Sequence, residues 1–209
     1  MTTVYNEIAG RSLERLTALS DGVFAFAMTL LILDVKVPSI EAVHGERELW
    51  LALLALAPRF AMYLTSFVTL GIFWIGQHAQ VQFFARGSRD LAWIHIAFLA
   101  AVAVMPFSTA LMAEFITFRV AVAVYWLNIA ALGWLLYASW AYAERMGLVK
   151  EEVSADVRAA VKRRIVVGQG LYALGALLCL VSTYASIAFI LALQLNYAVA
   201  PRLRLLYKL

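Results

Sequence analysis

The sequence predicts an all-α membrane protein of six transmembrane helices, and three observations predict it. Of its 209 residues 64% are hydrophobic and only 14% charged, with a mean hydropathy of +0.83, whereas soluble domains are about 45–50% apolar and about 25% charged. The apolar residues fall in helix-length runs without the period-two alternation of barrel strands. The cations are segregated: thirteen of the 17 Lys and Arg lie on one side of the predicted spans, leaving only Lys36, Arg47, Arg59 and Arg119 on the other. By the positive-inside rule both termini are cytoplasmic.

The first span, about 13–36, comes from RLTALSDGVFAFAMTLLILDVKVP at Arg15–Pro38. Its fully apolar core, Gly22 to Leu33, falls short of the roughly 20 residues that a span requires. Extension back to Leu13 supplies the length and brings Ser20 and Asp21 into the membrane. A carboxylate there costs about 2.5–3.5 kcal/mol even on insertion scales, so it must face a partner or water. Leu49 to Leu56, followed by Pro58 and Arg59, is too short to cross and reads as an outer interfacial helix.

The next spans are about 60–84, 91–112 and 120–143. The tract from Ile165 to Ala200 as one helix would be roughly 54 Å long, against a hydrocarbon core of about 30 Å. It is expected to turn near Ser182, Thr183 and Ser186, giving spans of about 163–181 and 184–201. The mixed-charge segment from Glu144 to Arg164 is expected to extend the fifth span as a solvated helix. All 209 residues form one transmembrane domain without a convincing internal repeat. The first ten residues are largely polar, so no cleavable secretory leader is expected. Cys179 is the lone cysteine, which rules out an intrachain disulfide, and the net charge of +4 calls for no nucleic acid.

Polar residues at depth are the candidate functional groups. The first span carries Arg15, Ser20 and Asp21; FWIGQH in the second carries Trp74, Gln77 and His78; WIHIAFLAAVAVMPFST in the third carries Trp93, His95, Pro106, Ser108 and Thr109. The leading expectation is a structural network of Arg15, Asp21, His78 and His95 that fixes helix packing, with His78 or Trp74 satisfying the Asp21 carboxylate across a helix interface. A proton-handling role for the histidines is the sharper alternative. Metal ligation is disfavoured: the histidines lie on separate helices and no HExxH occurs. No catalytic triad, phosphate loop or paired-carboxylate motif is present, so no enzyme and no cofactor are expected. Pro106 is expected to kink its span, and Gly168, Gly170 and Gly175 to allow close helix packing. Phe26, Thr29, Leu30 and Leu33, spaced i, i+3, i+4 and i+7, share one helix stripe. On its own such a stripe reads as helix packing or lipid contact.

The run R-x-x-x-L-S-D-G-V-F-A-F-A-x-T-L-L from Arg15 to Leu31 closely resembles the signature of the bacterial branch of the transmembrane protein 175 potassium-channel family. The similarity extends to F-W-x-x-Q-H at Phe73–His78, W-x-H at Trp93–His95 and P-F-S-T at Pro106–Thr109. It covers the first three spans in order. The resemblance implies a homotetramer of six-span subunits in the bacterial plasma membrane, conducting potassium as its permeant ion through a central pore lined by the four first helices. It places Phe26 at the narrowest ring, Thr29 as a hydroxyl ring, and Leu30 and Leu33 as further apolar rings. Arg15, Ser20, Asp21, Trp74 and His78 would anchor the pore helix, with His95 alongside. Like that family, the sequence has no TVGYG carbonyl filter.

Two positions depart from the family pattern. Leu19 stands where the motif has Phe, and Phe26 stands where relatives usually have Ile or Leu. Four phenyl rings either close the axis or turn edge-on and raise the barrier to dehydrated ions, and apolar constrictions gate by dewetting. An oligomer also follows from physics, because one subunit's first span has no polar face wide enough for a water-filled path, whereas a ring of identical helices makes a pore from a narrow stripe. The competing readings are a proton-coupled secondary transporter with an Asp21/His78/His95 relay, a lipid-modifying enzyme acting through Ser20 or Asp21, and a non-conducting scaffold.

Overall fold

The structure is a computed structural model that describes residues 12–199. The expectations for Arg11, Arg202, Arg204 and Lys208, and for the last residues of the sixth predicted span, lie outside the described residues. Helix α1 (Leu13–Leu30) starts at Ser12, whose hydroxyl accepts from the Arg15 backbone N–H at 3.3 Å. This capping satisfies one of the helix's orphan donors. The helix tightens into a 3-10 turn over Leu31–Asp34, which ends before Pro38. Helix α2 (Glu46–Ala55) buries none of its residues within the chain and leads into α3 (Ala57–Gln82). Pro58 sits in the first turn of α3, where its missing N–H costs nothing.

Helix α4 (Arg89–Glu114) is capped by Ser88 and runs through Pro106 without a break. Proline removes the N–H that would bond the Val102 carbonyl one turn back, and just beyond it Ser108 and Thr109 both donate to the Met105 carbonyl, at 3.0 and 2.8 Å. Helix α5 (Arg119–Arg145) ends at Gly147, whose φ of +63° lets the Leu148 N–H reach back to the Ala143 carbonyl at 2.8 Å. A side chain at that φ is disfavoured, so glycine suits this helix end. The chain then pairs Phe84 with Val149 in a single antiparallel bridge that ties the α3–α4 and α5–α6 connections. Phe84 is therefore not the last residue of a span. It turns inward beside Trp140, with ring centroids 6.0 Å apart.

Helix α6 (Ala155–Leu177) begins at the Ser154 cap with Asp156 in its first turn. The expected helical extension of the fifth span over Glu144–Arg164 is found only from Ala155 onward: α5 runs to Arg145, and 146–154 form a non-helical connection that holds the Val149 bridge. A 3-10 turn (Leu178–Leu180) and Ser182 separate it from α7 (Thr183–Val199). The expected break in the long tract thus falls at 178–182, and Ser186 lies inside α7, its hydroxyl donating to the Gly175 carbonyl at 2.7 Å. Among the described residues five helices, Leu13–Asp34, Ala57–Gln82, Arg89–Glu114, Arg119–Arg145 and Ala155–Leu180, are long and apolar enough to cross a membrane. Helix α7 has 17 described residues, short of the roughly 20 for a full span.

α4 and α5 form the most extensive pair, α1 lies against α3 and α4, and α7 fits between α3 and α6. Lipid is as apolar as leucine, so what holds such helices together is close packing and polar satisfaction. Phe24, Leu70, Phe73, Phe98 and Val102 interdigitate between α1, α3 and α4. The Tyr125 hydroxyl lies 3.1 Å from Ser66 Oγ and 3.3 Å from Thr69 Oγ1, and Thr109 Oγ1 lies 2.7 Å from Ser66 Oγ. The Gln194 amide donates to Thr69, which joins α7 to the same chain of bonds. Ser108 and Asn128 complete a second link between α4 and α5 at 3.0 Å. Gly175 is the glycine whose absent side chain matters most along α7: a Cβ there would sit 2.9 Å from Ile190. Gly170 meets nothing within 4 Å, so close packing is not its role.

Candidate functional site

Helix α1 has two unlike faces. Ser20, Phe24, Ala27 and Leu31 point into the subunit, with Phe24 1% and Leu31 2% exposed. On the other side Leu19, Gly22, Phe26, Thr29 and Leu33 form a continuous open stripe, with Phe26 67% and Leu33 69% exposed. Leu30 is half-buried at the flank of that stripe, not on its crest. The Thr29 hydroxyl donates to the Phe26 carbonyl at 2.8 Å. Its proton is committed to its own helix, so toward the open side it offers lone pairs, the polarity that suits a cation.

The expected polar network resolves into two separate pairs. Trp74 Nε1 donates to Asp21 Oδ1 at 2.7 Å, bridging α3 to α1 near the edge of the open stripe. One turn on, His78 lies 5.8 Å from the Trp74 ring and buttresses it, while its buried Nδ1 has no hydrogen-bond partner among the described residues. The second pair is internal: Ser20 Oγ and His95 Nε2 are 2.7 Å apart, joining α1 to α4. The same imidazole is within reach of the Leu16 backbone. Among the described residues Arg15 forms no ion pair with Asp21, and no hydrogen bond joins Asp21, His78 and His95 to one another. Their positions explain this: Ser20 faces inward and Asp21, the next residue round the helix, faces out.

Sequence reasoning named Gln77 and Thr109 as polar residues at depth but did not single out Ser66, Thr69, Tyr125 or Gln194, the residues that link with Thr109 into one chain; the buried Gln77 amide is unpaired among the described residues. The available signal was hydroxyls and amides at helix spacing within apolar runs, each of which must find a partner in lipid. Among the described residues no group of three or more His, Cys, Asp or Glu could hold a metal ion.

Residues 15–106, from Arg15 in α1 to Pro106 in α4, match the family described as "Endosomal/lysosomal potassium channel TMEM175". A Streptomyces collinus protein named a potassium channel is 37% identical over 194 residues, covering 90% of this chain and 93% of the relative. A crystal structure of a protein described as a lysosomal potassium-selective channel TMEM175 homolog from Chamaesiphon minutus superposes with a TM-score of 0.77 at 29% identity. That superposition covers 91% of this chain and 98% of the other. A Gallus gallus relative named an endosomal/lysosomal proton channel is 34% identical over 111 residues, half of this chain but 22% of its own length. Similarity that spans nearly the whole Streptomyces relative, together with the matched motif region, makes this multi-pass membrane protein a member of the TMEM175 channel family.

Proposed function

We propose that the chain is the subunit of a homotetrameric potassium channel in which the open stripe of α1 lines the axis. Phe26 forms the narrowest ring, Thr29 contributes acceptor lone pairs below it, and Leu33 an apolar ring beyond, with Leu30 supporting from the flank. The subunit crosses six times, α7 completing the count, with both termini on the cation-rich cytoplasmic face of a bacterial plasma membrane. One observation carries this reading: a phenyl and an isobutyl group stand two-thirds exposed on a helix whose opposite face is the subunit's own core. Fourfold repetition of such a stripe encloses an apolar throat without any carbonyl filter. The Trp74–Asp21 bond and the Ser20–His95 bond support it by fixing the rotation of α1 about its axis. The partners found for these residues, Trp74 for Asp21 and Ser20 for His95, favour packing over a direct Asp21–His78–His95 relay, and no direct hydrogen bond joins the three among the described residues.

The test is potassium efflux from loaded liposomes containing wild type or Phe26→Ala. The expected result is electrodiffusive efflux that rises several-fold in the variant. Unchanged efflux removes Phe26 from the constriction, and saturable flux that depends on a pH gradient restores the transporter reading.

A further inference from the structure

Helix α6 is the least buried of the five long helices, and beside it lies a cavity of about 330 Å³ enclosed by α3, α5, α6 and α7 of the same chain. Its walls run from Ile72 to Phe83 on α3 and from Val161 to Tyr172 on α6. At about 1.5 Å per residue each stretch is roughly 16 Å long, close to half of the bilayer's core of about 30 Å. The slot is therefore about one leaflet deep. Its deep end is made by Ile72, Phe73, Leu136 and the ring of Tyr172; of the two amides that line it, Gln80 donates to the Leu136 carbonyl at 3.2 Å and Gln169 lies on the α6 wall. Arg164 stands at the other end, on the side of the membrane that holds most cations.

Arg164 differs from its neighbour. Lys162 is paired with Glu144, whereas Arg164 has no carboxylate partner among the described residues. A guanidinium at the mouth of an apolar slot one leaflet deep is the arrangement that takes an anionic headgroup and its acyl chain. The remaining segment, 200–209, is unsuited as occupant, because it carries Arg202, Arg204 and Lys208 and no acidic side chain. Its charge has the same sign as that of Arg164.

We infer that this slot binds one anionic phospholipid per chain from the Arg164-side leaflet, its phosphate on Arg164 and one acyl chain between α3 and α6. The inference needs only the membrane insertion of this helix bundle, and it stands or falls independently of Phe26 and the pore.

Native mass spectrometry of the full-length protein, titrated with phosphatidylglycerol or phosphatidylcholine, tests it. One phosphatidylglycerol per chain is expected, about fivefold tighter than phosphatidylcholine, the factor equivalent to about 1 kcal/mol per basic residue at an anionic surface. Arg164→Gln, at the exposed mouth, is expected to abolish the preference while still binding both lipids. Ala79→Phe, on the α3 wall, is expected to exclude both. Equal wild-type affinity for the two lipids, a preference that survives Arg164→Gln, or lipid retained by a folded Ala79→Phe each overturn the proposal. So does the absence of stoichiometric lipid, which is the result if water or residues 200–209 fill the slot.

Discussion

Trp74 Nε1 lies 2.7 Å from Asp21 Oδ1, so the indole of α3 supplies the partner that a carboxylate in an apolar helix requires. The bond needs an acceptor oxygen on α1, not a negative charge. Asp21→Asn keeps such an oxygen, so it is expected to retain assembly and most of the potassium efflux. Trp74→Phe removes the donor and leaves the carboxylate unpaired, a change of about 1.5–3 kcal/mol for a charged hydrogen bond in a buried setting and less at this exposed edge. The expected outcome is a lower melting temperature for Trp74→Phe than for Asp21→Asn in the same detergent. Full stability with abolished efflux in Asp21→Asn would transfer the carboxylate from architecture to conduction.

Phe24 and Phe26 are two residues apart and face opposite ways, so identical truncations have opposite consequences. Phe24 is 1% exposed and packs on Phe98 with ring centroids 6.0 Å apart. Phe24→Ala opens a cavity, for which losses of about 3–5 kcal/mol are typical. Phe26→Ala removes a ring that is 67% exposed in the subunit, and it is expected to leave subunit stability nearly unchanged while altering efflux. Thermal melts of the two variants beside the liposome assay check both halves of the prediction. Equal destabilisation would mean that α1 is rotated from the orientation described above.

Much of this architecture was legible in the residues. Apolar runs and breakers located most helices within a few residues, but not the start of α6 at Ala155, because its charged first turns read as a solvated segment rather than as part of the fifth apolar run. The pairing of Trp74 with Asp21 was legible as one of two options, since only a donor on a neighbouring helix relieves a carboxylate. The partition of Ser20 to His95 was not, because rotation of α1 is set by tertiary packing and adjacent residues on a helix differ by about 100° in direction. Leu30 looked equivalent to Leu33 by spacing, but Leu33, seven residues on from Phe26, returns to the crest of the stripe, whereas Leu30 falls further round the helix toward the core and is half-buried. The hydroxyl chain around Tyr125 was hidden for a related reason: Ser66, Thr69, Thr109 and Gln194 lie far apart in sequence, and only the helix pairing brings them together.

Gly175 and Gly170, five residues apart on α6, separate packing from propensity. Gly175→Ala puts a methyl group 2.9 Å from Ile190 Cγ1 and 3.0 Å from the Phe189 ring. Overpacking of this kind costs about 1–3 kcal/mol. Gly170→Ala meets nothing within 4 Å and replaces glycine within a helix, a gain of about 0.5–1 kcal/mol. Melting temperatures are expected to fall for the first and to hold or rise for the second. A harmless Gly175→Ala would show that α7 does not close on α6 as described.

Tyr125 tests whether the buried hydroxyl chain binds helices together or merely occupies space. Its ring is fully buried, and its hydroxyl is the atom through which α5 meets Ser66 and Thr69 on α3. Tyr125→Phe keeps the ring and its packing and deletes only that oxygen. Interhelical hydrogen bonds in membranes average about 0.6 kcal/mol, with a maximum near 1.7, so the two bonds together are worth about 1 kcal/mol. The two hydroxyls on α3 do not become orphans, because Thr69 donates to the Thr65 carbonyl and Ser66, which donates to the phenol, keeps Thr109 Oγ1 at 2.7 Å as the acceptor onto which its proton turns. A loss near 1 kcal/mol is therefore expected, with assembly intact. A loss several times larger would mean that the phenol oxygen organises the whole α3–α5–α7 contact, and the Gln194→Leu variant would then lose a similar amount, since Gln194 joins the same chain through Thr69.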